Sequence, residues 1–243
     1  MDLDFSGKNI LVAGGSSGIG NGIARQFLAC GGHVAVWGTR ASSDDYRDED
    51  GSDLDGLAYQ QVDVTDRAAI NLQPTGRGLD VLVLCQGTVR YGGAEFTDSG
   101  WDAVMDVNIN SVMDVARHFH ADLAAANGAV IIVSSVAGFG ATIGTPAYGA
   151  SKHAAVGLTK TLGAAWARDG IRVNGLAPGL VDTKLTQVTT QNEKRLSGAL
   201  KNIPQRRLGT PQDMAGIALF LASDLSAYVT GQTIIADGGL SLR

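Results

Sequence analysis

Two stretches of the chain carry residues whose types and spacing could do chemistry. The first is Gly14-Gly15-Ser16-Ser17-Gly18-Ile19-Gly20, directly after the apolar run Asn9-Ile10-Leu11-Val12-Ala13. Where a strand hands over to a helix, glycines permit a tight turn and let backbone N–H groups approach a pyrophosphate at the helix N-terminus. That end of a helix carries about half a positive charge, worth ~0.3–1 kcal/mol to a nearby anion. A glycine turn can also be purely structural. The same residues fit a rival chemistry, because Gly14-Gly15-Ser16-Ser17-Gly18 reads as the G-x-S-x-G elbow that presents a serine nucleophile. Ser16 would then need an acid and a histidine late in the chain. The histidines after it are His33, His118, His120 and His153, with none beyond. The elbow also belongs on a central strand rather than the first one, so the phosphate-binding reading is the stronger.

The second stretch is Tyr148-Gly149-Ala150-Ser151-Lys152. It puts a phenol and an ammonium four residues apart, neighbours on one helix face. Alone, such a pair is commonplace on a helix surface. Its context is not. Ser134-Ser135 closes the run Ala129-Val130-Ile131-Ile132-Val133, at the carboxyl edge where doubly wound sheets bind ligands. Asn108 lies within a helical stretch, where asparagine has no propensity reason to be.

These residues need a scaffold, and the chain alternates short β-branched runs with longer helical periods. Strands are predicted at 9–13, 33–37, 57–62, 80–84, 129–133, 171–176 and 232–236. Helices are predicted near 18–30, 99–127, 147–169 and 210–222, the last opened by Thr210-Pro211 as cap and first-turn proline. Near-continuous apolar strands suit a sheet covered on both faces. Repeated β-α-β units with right-handed crossovers give an α/β, Rossmann-type, doubly wound parallel sheet of about seven strands. No linker or repeat divides residues 1–243, so one domain is expected. Residues 191–205 are polar and loosely helical, a flap over one edge.

Composition narrows the function classes. Thirty-three of the 243 residues are glycine, about twice the usual ~7%. Five prolines and no Gly-X-Y period exclude collagen-like readings, and 44% hydrophobic against 18% charged residues argues against disorder. A formal charge of −5 argues against binding nucleic acid through a basic stripe. Seven acids and one base lie between Asp44 and Asp55, the pattern of a solvated loop. Cys30 and Cys85 show neither metal-ligand nor disulfide spacing, so no metal site is expected and both read as small hydrophobes. Met1-Asp2-Leu3-Asp4-Phe5 carries acids where a signal peptide carries bases, and no apolar run is long enough to span a bilayer. A cytoplasmic protein without a membrane partner is expected.

Taken in order, the motifs resemble the short-chain dehydrogenase/reductase family, and the resemblance covers essentially the whole chain. Gly14 to Gly20 match its T-G-x-x-x-G-x-G turn, Tyr148 and Lys152 its Tyr-x-x-x-Lys, and Ser135 the serine thirteen residues before the tyrosine. Asn108, in Val107-Asn108-Ile109, matches its helix asparagine. Pro178-Gly179-Leu180-Val181-Asp182-Thr183 matches P-G-x-V-x-T, and Asp237-Gly238-Gly239 the terminal D-G-G. The resemblance implies hydride transfer between nicotinamide C4 and a carbonyl or alcohol carbon of a small molecule. It assigns Tyr148 as general acid/base, Lys152 to the ribose hydroxyls, Ser135 to the substrate oxygen and Asn108 to a proton-relaying water. It also places Gly14, Ser16, Ser17, Gly18, Ile19, Gly20, Gln86, Gly87, Pro178, Gly179, Val181 and Thr183 beside the cofactor, with Asp63 and Val64 at the adenine. Bringing a phenol from about 10 to about 7 requires ~4 kcal/mol. A unit charge about 5–6 Å away at an effective dielectric near 20 supplies ~3 kcal/mol, so Lys152 is expected to do most of it and an oxidised nicotinamide the rest.

The chain departs from the family pattern in three places. The first-turn threonine is Ala13, and the usual N-N-A-G is Leu84-Cys85-Gln86-Gly87. Losing both polar groups together suggests an apolar contact between Ala13 and the end of the fourth strand. The stretch 66–80 is short, which clips a helix. At the end of the second strand, NAD-specific enzymes place an acid for the ribose 2′-OH. Here Gly38 is followed by Thr39 and Arg40, which leans the expectation to NADP(H). The substrate would lie among residues 136–145, 88–91 and the 184–205 flap, with Arg90 and Lys184 as candidate cations. Relatives imply a homotetramer built on the helices near 99–127 and 147–169. The competing class is a non-catalytic nucleotide sensor, which would be expected to lose Tyr148 or Lys152.

Overall fold

The computed structural model describes residues 3–76 and 78–242. The reading of the N-terminus at Met1 and Asp2 therefore lies outside the described residues. The seven strands are β1 (Asn9–Ala13), β2 (His33–Gly38), β3 (Ala58–Gln61), β4 (Val81–Leu84), β5 (Ala129–Val133), β6 (Arg172–Pro178) and β7 (Thr233–Ala236). They form one sheet in the order β3-β2-β1-β4-β5-β6-β7, every pair parallel. The order reverses between β1 and β4, which opens a crevice at their carboxyl ends.

The helices are α1 (Gly18–Ala29), α2 (Arg67–Asn71), α3 (Asp98–Met105), α4 (Ser111–His118), α5 (His120–Ala126), α6 (Pro146–Trp166), α7 (Gln187–Thr190), α8 (Glu193–Asn202) and α9 (Pro211–Ala222). Period-two alternation along buried strands makes two cores. Leu11, Leu82, Leu84, Val130 and Ile132 face Val115, Leu123 and Leu162 of α4, α5 and α6. Ile10, Val12, Val83, Ile131 and Val133 face Ile23, Phe27 and Leu219 of α1 and α9. Each fully buried aliphatic side chain contributes about 1.5–3 kcal/mol relative to exposure. Ala13 pairs in register with Leu84 and lies in the same core cluster, while its carbonyl accepts the Cys85 N–H at 2.9 Å.

Most predicted elements are found with slightly shifted ends, and two differences stand out. The helix expected over 99–127 is four pieces: α3, a π-helical turn at Asp106–Asn110, α4 and α5. Such turns insert one extra residue into the helical ladder and occur frequently at functional sites. The break between α4 and α5 falls at Phe119, whose ring packs 5.8 Å from that of Trp37 in the core. The strand expected over 171–176 begins one residue later and runs on to Pro178, paired with Ala236 of β7. The stretch before β4 holds only the five-residue α2, consistent with a clipped helix. Cys30 and Cys85 are free and half-buried.

Candidate active site

The crevice is a cleft of ≈ 550 Å³ running from β2 to the 184–186 segment. At its floor β1 turns into α1. Gly14 takes φ +75°, and a Cβ there would lie 2.7 Å from the Gln86 nitrogen. A Cβ on Gly20 would lie 2.1 Å from the Gly14 carbonyl oxygen, so the helix closes on the turn only without side chains. Ser17, at the N-cap, makes no capping bond with its side chain, and Ser16, Ser17, Ile19 and Gly20 face the cleft. A backbone cradle with no local cap at a helix N-terminus suits a pyrophosphate.

Almost every residue named from sequence lines this one cleft. Gly14, Ser16, Ser17, Gly18, Ile19 and Gly20 form the floor, with Thr39, Asp63 and Val64 at the β2 end and Gln86 and Gly87 at the centre. Pro178, Gly179, Val181 and Thr183 make the far wall, beside Ser135, Tyr148 and Lys152. The side chain of Gln86 is buried, with its Nε2 donating to Ser111 Oγ at 3.0 Å and its Oε1 unpartnered.

Arg40 is not among the lining residues. Its guanidinium stacks 4.4 Å from the Tyr46 ring centre and pairs with Glu49, whose other oxygen takes Lys184 Nζ at 3.0 Å. Six of the seven acids in the loop are exposed, as expected of a solvated run, but the loop is also anchored as a strap. Gly51 accepts the Gly18 N–H at 2.9 Å, and Asp53 exchanges two hydrogen bonds with Asn21 of α1. Tyr46 is buried, and its hydroxyl accepts the N–H groups of Thr39 and Arg40 at 3.1 and 3.3 Å. A Cβ on Gly38 would come 2.7 Å from both that oxygen and Ser16 Oγ, so the position has no room for the acid that selects NAD. Tyr46 and Glu49 escaped the sequence reading because neither belongs to a local motif.

Tyr148 and Lys152 both sit on α6, whose interior face carries Lys152 into the cleft. Lys152 Nζ lies 5.6 Å from the Tyr148 ring centre and donates to the Val133 carbonyl at 3.0 Å. Ser134 Oγ donates to the Lys152 carbonyl at 2.8 Å and pins the helix to the end of β5. Burial pushes the Tyr148 phenol above its ordinary range; the Ser135 hydroxyl opposes this, and Tyr91 and Glu95 add to it. This corrects the expected lowering by Lys152. Burial also pushes the ammonium itself down to about 8, with the adjoining Cys85 thiol opposing. For both groups burial is the largest cause, because removing a charge from water disfavours the ionised form.

Asn108, in the π turn, is 1% exposed and does not line the cleft. Its Oδ1 accepts the Thr88 N–H at 2.7 Å, and its Nδ2 donates to the Thr88 carbonyl at 2.9 Å and to Ser151 Oγ at 3.1 Å. The side chain is spent on clamping residue 88 to α6. Among the described residues no group of three or more His, Cys, Asp or Glu side chains could hold a metal ion, and no helix is long and apolar enough to cross a membrane.

A parallel sheet reversing between β1 and β4, with a glycine-floored cleft ending at a tyrosine and a lysine, defines a dinucleotide-binding oxidoreductase. A family model described as enoyl-(acyl carrier protein) reductase matches residues 13–241. The chain is 35% identical over 252 residues to a 3-oxoacyl-(acyl-carrier-protein) reductase of Chlamydia pneumoniae, covering 99% of this chain and 100% of that protein. It is 36% identical over 248 residues to a 2-dehydro-3-deoxy-D-gluconate 5-dehydrogenase of Bacillus subtilis, covering 98% of this chain and 96% of that protein. A crystal structure from Agrobacterium tumefaciens with bound NADP superposes with a TM-score of 0.90 at 34% identity, covering 100% of this chain and 99% of that one. The chain belongs to the short-chain dehydrogenase/reductase family. It is an NAD(P)-dependent enzyme that moves a hydride between the cofactor and a carbonyl or alcohol carbon.

Proposed function

We propose that the chain is an NADP(H)-preferring oxidoreductase of a small carbonyl or alcohol substrate, with Tyr148 as its general acid/base. The observation that carries the reading is the meeting of Tyr148, Lys152 and Ser135 at the end of a cleft floored by the glycine turn. When bound, the nicotinamide supplies or accepts the hydride at C4. In the reducing direction, Tyr148 gives its phenolic proton to the substrate oxygen, which Ser135 Oγ holds by a hydrogen bond. The ammonium of Lys152 holds the ribose hydroxyls and stabilises the phenolate that remains. Asn108 acts through Thr88 and Ser151, setting the wall beside which a relay water would lie.

The preference for NADP(H) is supported by the crowded Gly38, by Arg40 one residue beyond the cleft-lining Thr39, and by NADP in a related structure. The segment 184–205, carrying α7 and α8, acts as the substrate flap of a single domain spanning 1–243. The protein works in the cytoplasm as a homotetramer built on α3, α4, α5 and α6. A panel of carbonyls and alcohols run with NADPH and NADH in parallel tests the reading. The panel includes 3-oxoacyl thioesters and keto sugar acids, after the substrates in the two relatives' names. Turnover of one class with NADPH ahead of NADH is expected, and no oxidation or reduction of either cofactor would overturn it.

A further inference from the structure

We infer that Glu95 is a positioning residue: a buried carboxylate that caps α6 from a distant loop and fixes Tyr148 against the substrate side of the cleft. The inference rests on the reading of Tyr148 as the proton-transfer group. A helix leaves its first N–H groups without intrahelical partners. In α6, Pro146 has no N–H, the N-cap Thr145 makes no bond with its side chain, and the Gly149 N–H reaches the Thr145 carbonyl at 3.0 Å. The N–H of Tyr148 is served instead by Glu95 Oε2 at 2.8 Å, from 53 residues earlier in the chain. A carboxylate at the positive end of a 21-residue helix also complements its dipole.

Glu95 is 1% exposed, and no cation pairs with it among the described residues. Burying an acid this deeply is costly unless it is fully bonded. Its second oxygen accepts the Arg90 N–H at 2.9 Å, so one side chain ties the 88–91 segment to the first turn of α6. The opposite end of that segment is tied as well. Asn108 clamps Thr88 and donates to Ser151 Oγ, and Ser151 Oγ in turn donates to the Tyr148 carbonyl at 2.8 Å. Both peptide groups of Tyr148 are therefore held by residues that also hold the substrate side. Tyr91, in the same segment, donates from its phenol to the Leu185 carbonyl at 3.3 Å, which extends the connection to the flap.

Charge gives the role a signature that a purely structural cap lacks. The phenol of Tyr148 is faced by Tyr91 and Glu95 from the 88–96 segment and by Lys152 from its own helix, with Cys85 beside the lysine. Glu95 and Tyr91 both push the phenol upward, secondary to burial. Removing the negative charge at 95 should lower the pH at which alcohol oxidation rises.

The experiment compares wild type, Glu95→Gln and Glu95→Asp for kcat against pH, cofactor dissociation constant and thermal midpoint. Glu95→Gln keeps the shape and one acceptor but loses the charge. It is expected to lower kcat by about tenfold or more, since small misplacements of a reacting group are costly, and to move the rising limb of alcohol oxidation to lower pH. Cofactor affinity should stay within a few-fold. Glu95→Asp keeps the charge but is too short to reach both N–H groups, so kcat falls while the limb stays in place. Unchanged kcat and limb in Glu95→Gln, with or without a lower thermal midpoint, would overturn the inference. Should Glu95→Gln not fold, undiminished kcat in Glu95→Asp would do the same. A fully active Tyr148→Phe would instead remove the reading of Tyr148, a failure separable from that of Glu95.

Discussion

Lys152 shows how the site trades stability for chemistry at the level of one side chain. The residue is 5% exposed, and its ammonium is pushed down to about 8 from an ordinary value of 10.5. The unfolded chain then holds that proton more tightly, so this group's contribution makes the fold more stable as pH rises from about 8 to about 10.5. Below that window the buried charge costs the fold ~3 kcal/mol, at about 1.36 kcal/mol per pH unit. Lys152→Met should therefore raise the thermal midpoint at neutral pH, by the equivalent of ~1–3 kcal/mol, while abolishing turnover. Scanning calorimetry beside a rate assay checks it; a destabilised Lys152→Met would contradict the cost. The spacing of Tyr148 and Lys152 is plain in the sequence, but their electrostatics are not, because spacing says nothing about desolvation. Glu95 illustrates the same gap: it caps a helix that begins 51 residues later, and no local pattern announces it.

Among the elements, strands and the β1–α1 turn are legible because their signals are local: apolar runs, glycines and a Thr-Pro start for α9. The π turn at Asp106–Asn110 is not, since Asp-Val-Asn-Ile-Asn reads as ordinary helix until the clamp on Thr88 draws Asn108 inward. The strap over 43–55 is legible in charge but not in use. Its acids read as solvated, whereas Glu49 is 15% exposed at the side chain and bridges Arg40 to Lys184 of the flap. An NADP 2′-phosphate approaching Arg40 must compete with that carboxylate. Glu49→Gln should tighten NADPH by about three- to tenfold, at ~1.4 kcal/mol per tenfold, and leave NADH nearly unchanged. In an Arg40→Ala background the gain should vanish. Fluorescence titration with both cofactors measures it, and an equal shift for the two would show that the strap acts on the shared pyrophosphate end instead.

At the scale of the molecule, one parallel sheet brings residues from position 14 to position 183 to a single cleft, which is why motifs scattered along the chain act together. The doubly wound class was readable from the alternation of elements, and the strand order adds where the crevice opens. Phe96 is 70% exposed and Trp101 39%, at the start of the α3 side on which assembly is proposed. Light scattering should give a mass near four times the 25.1 kDa of one chain, and a stable monomer would contradict the tetramer. Tyr148 carries the proposed chemistry. With the reactive substrate and NADPH, Tyr148→Phe should lose turnover by about 10²–10⁴-fold or more, the range general acid–base groups supply. The variant's NADPH dissociation constant should remain within a few-fold of wild type. Near-normal turnover by a folded, cofactor-binding Tyr148→Phe would contradict the account.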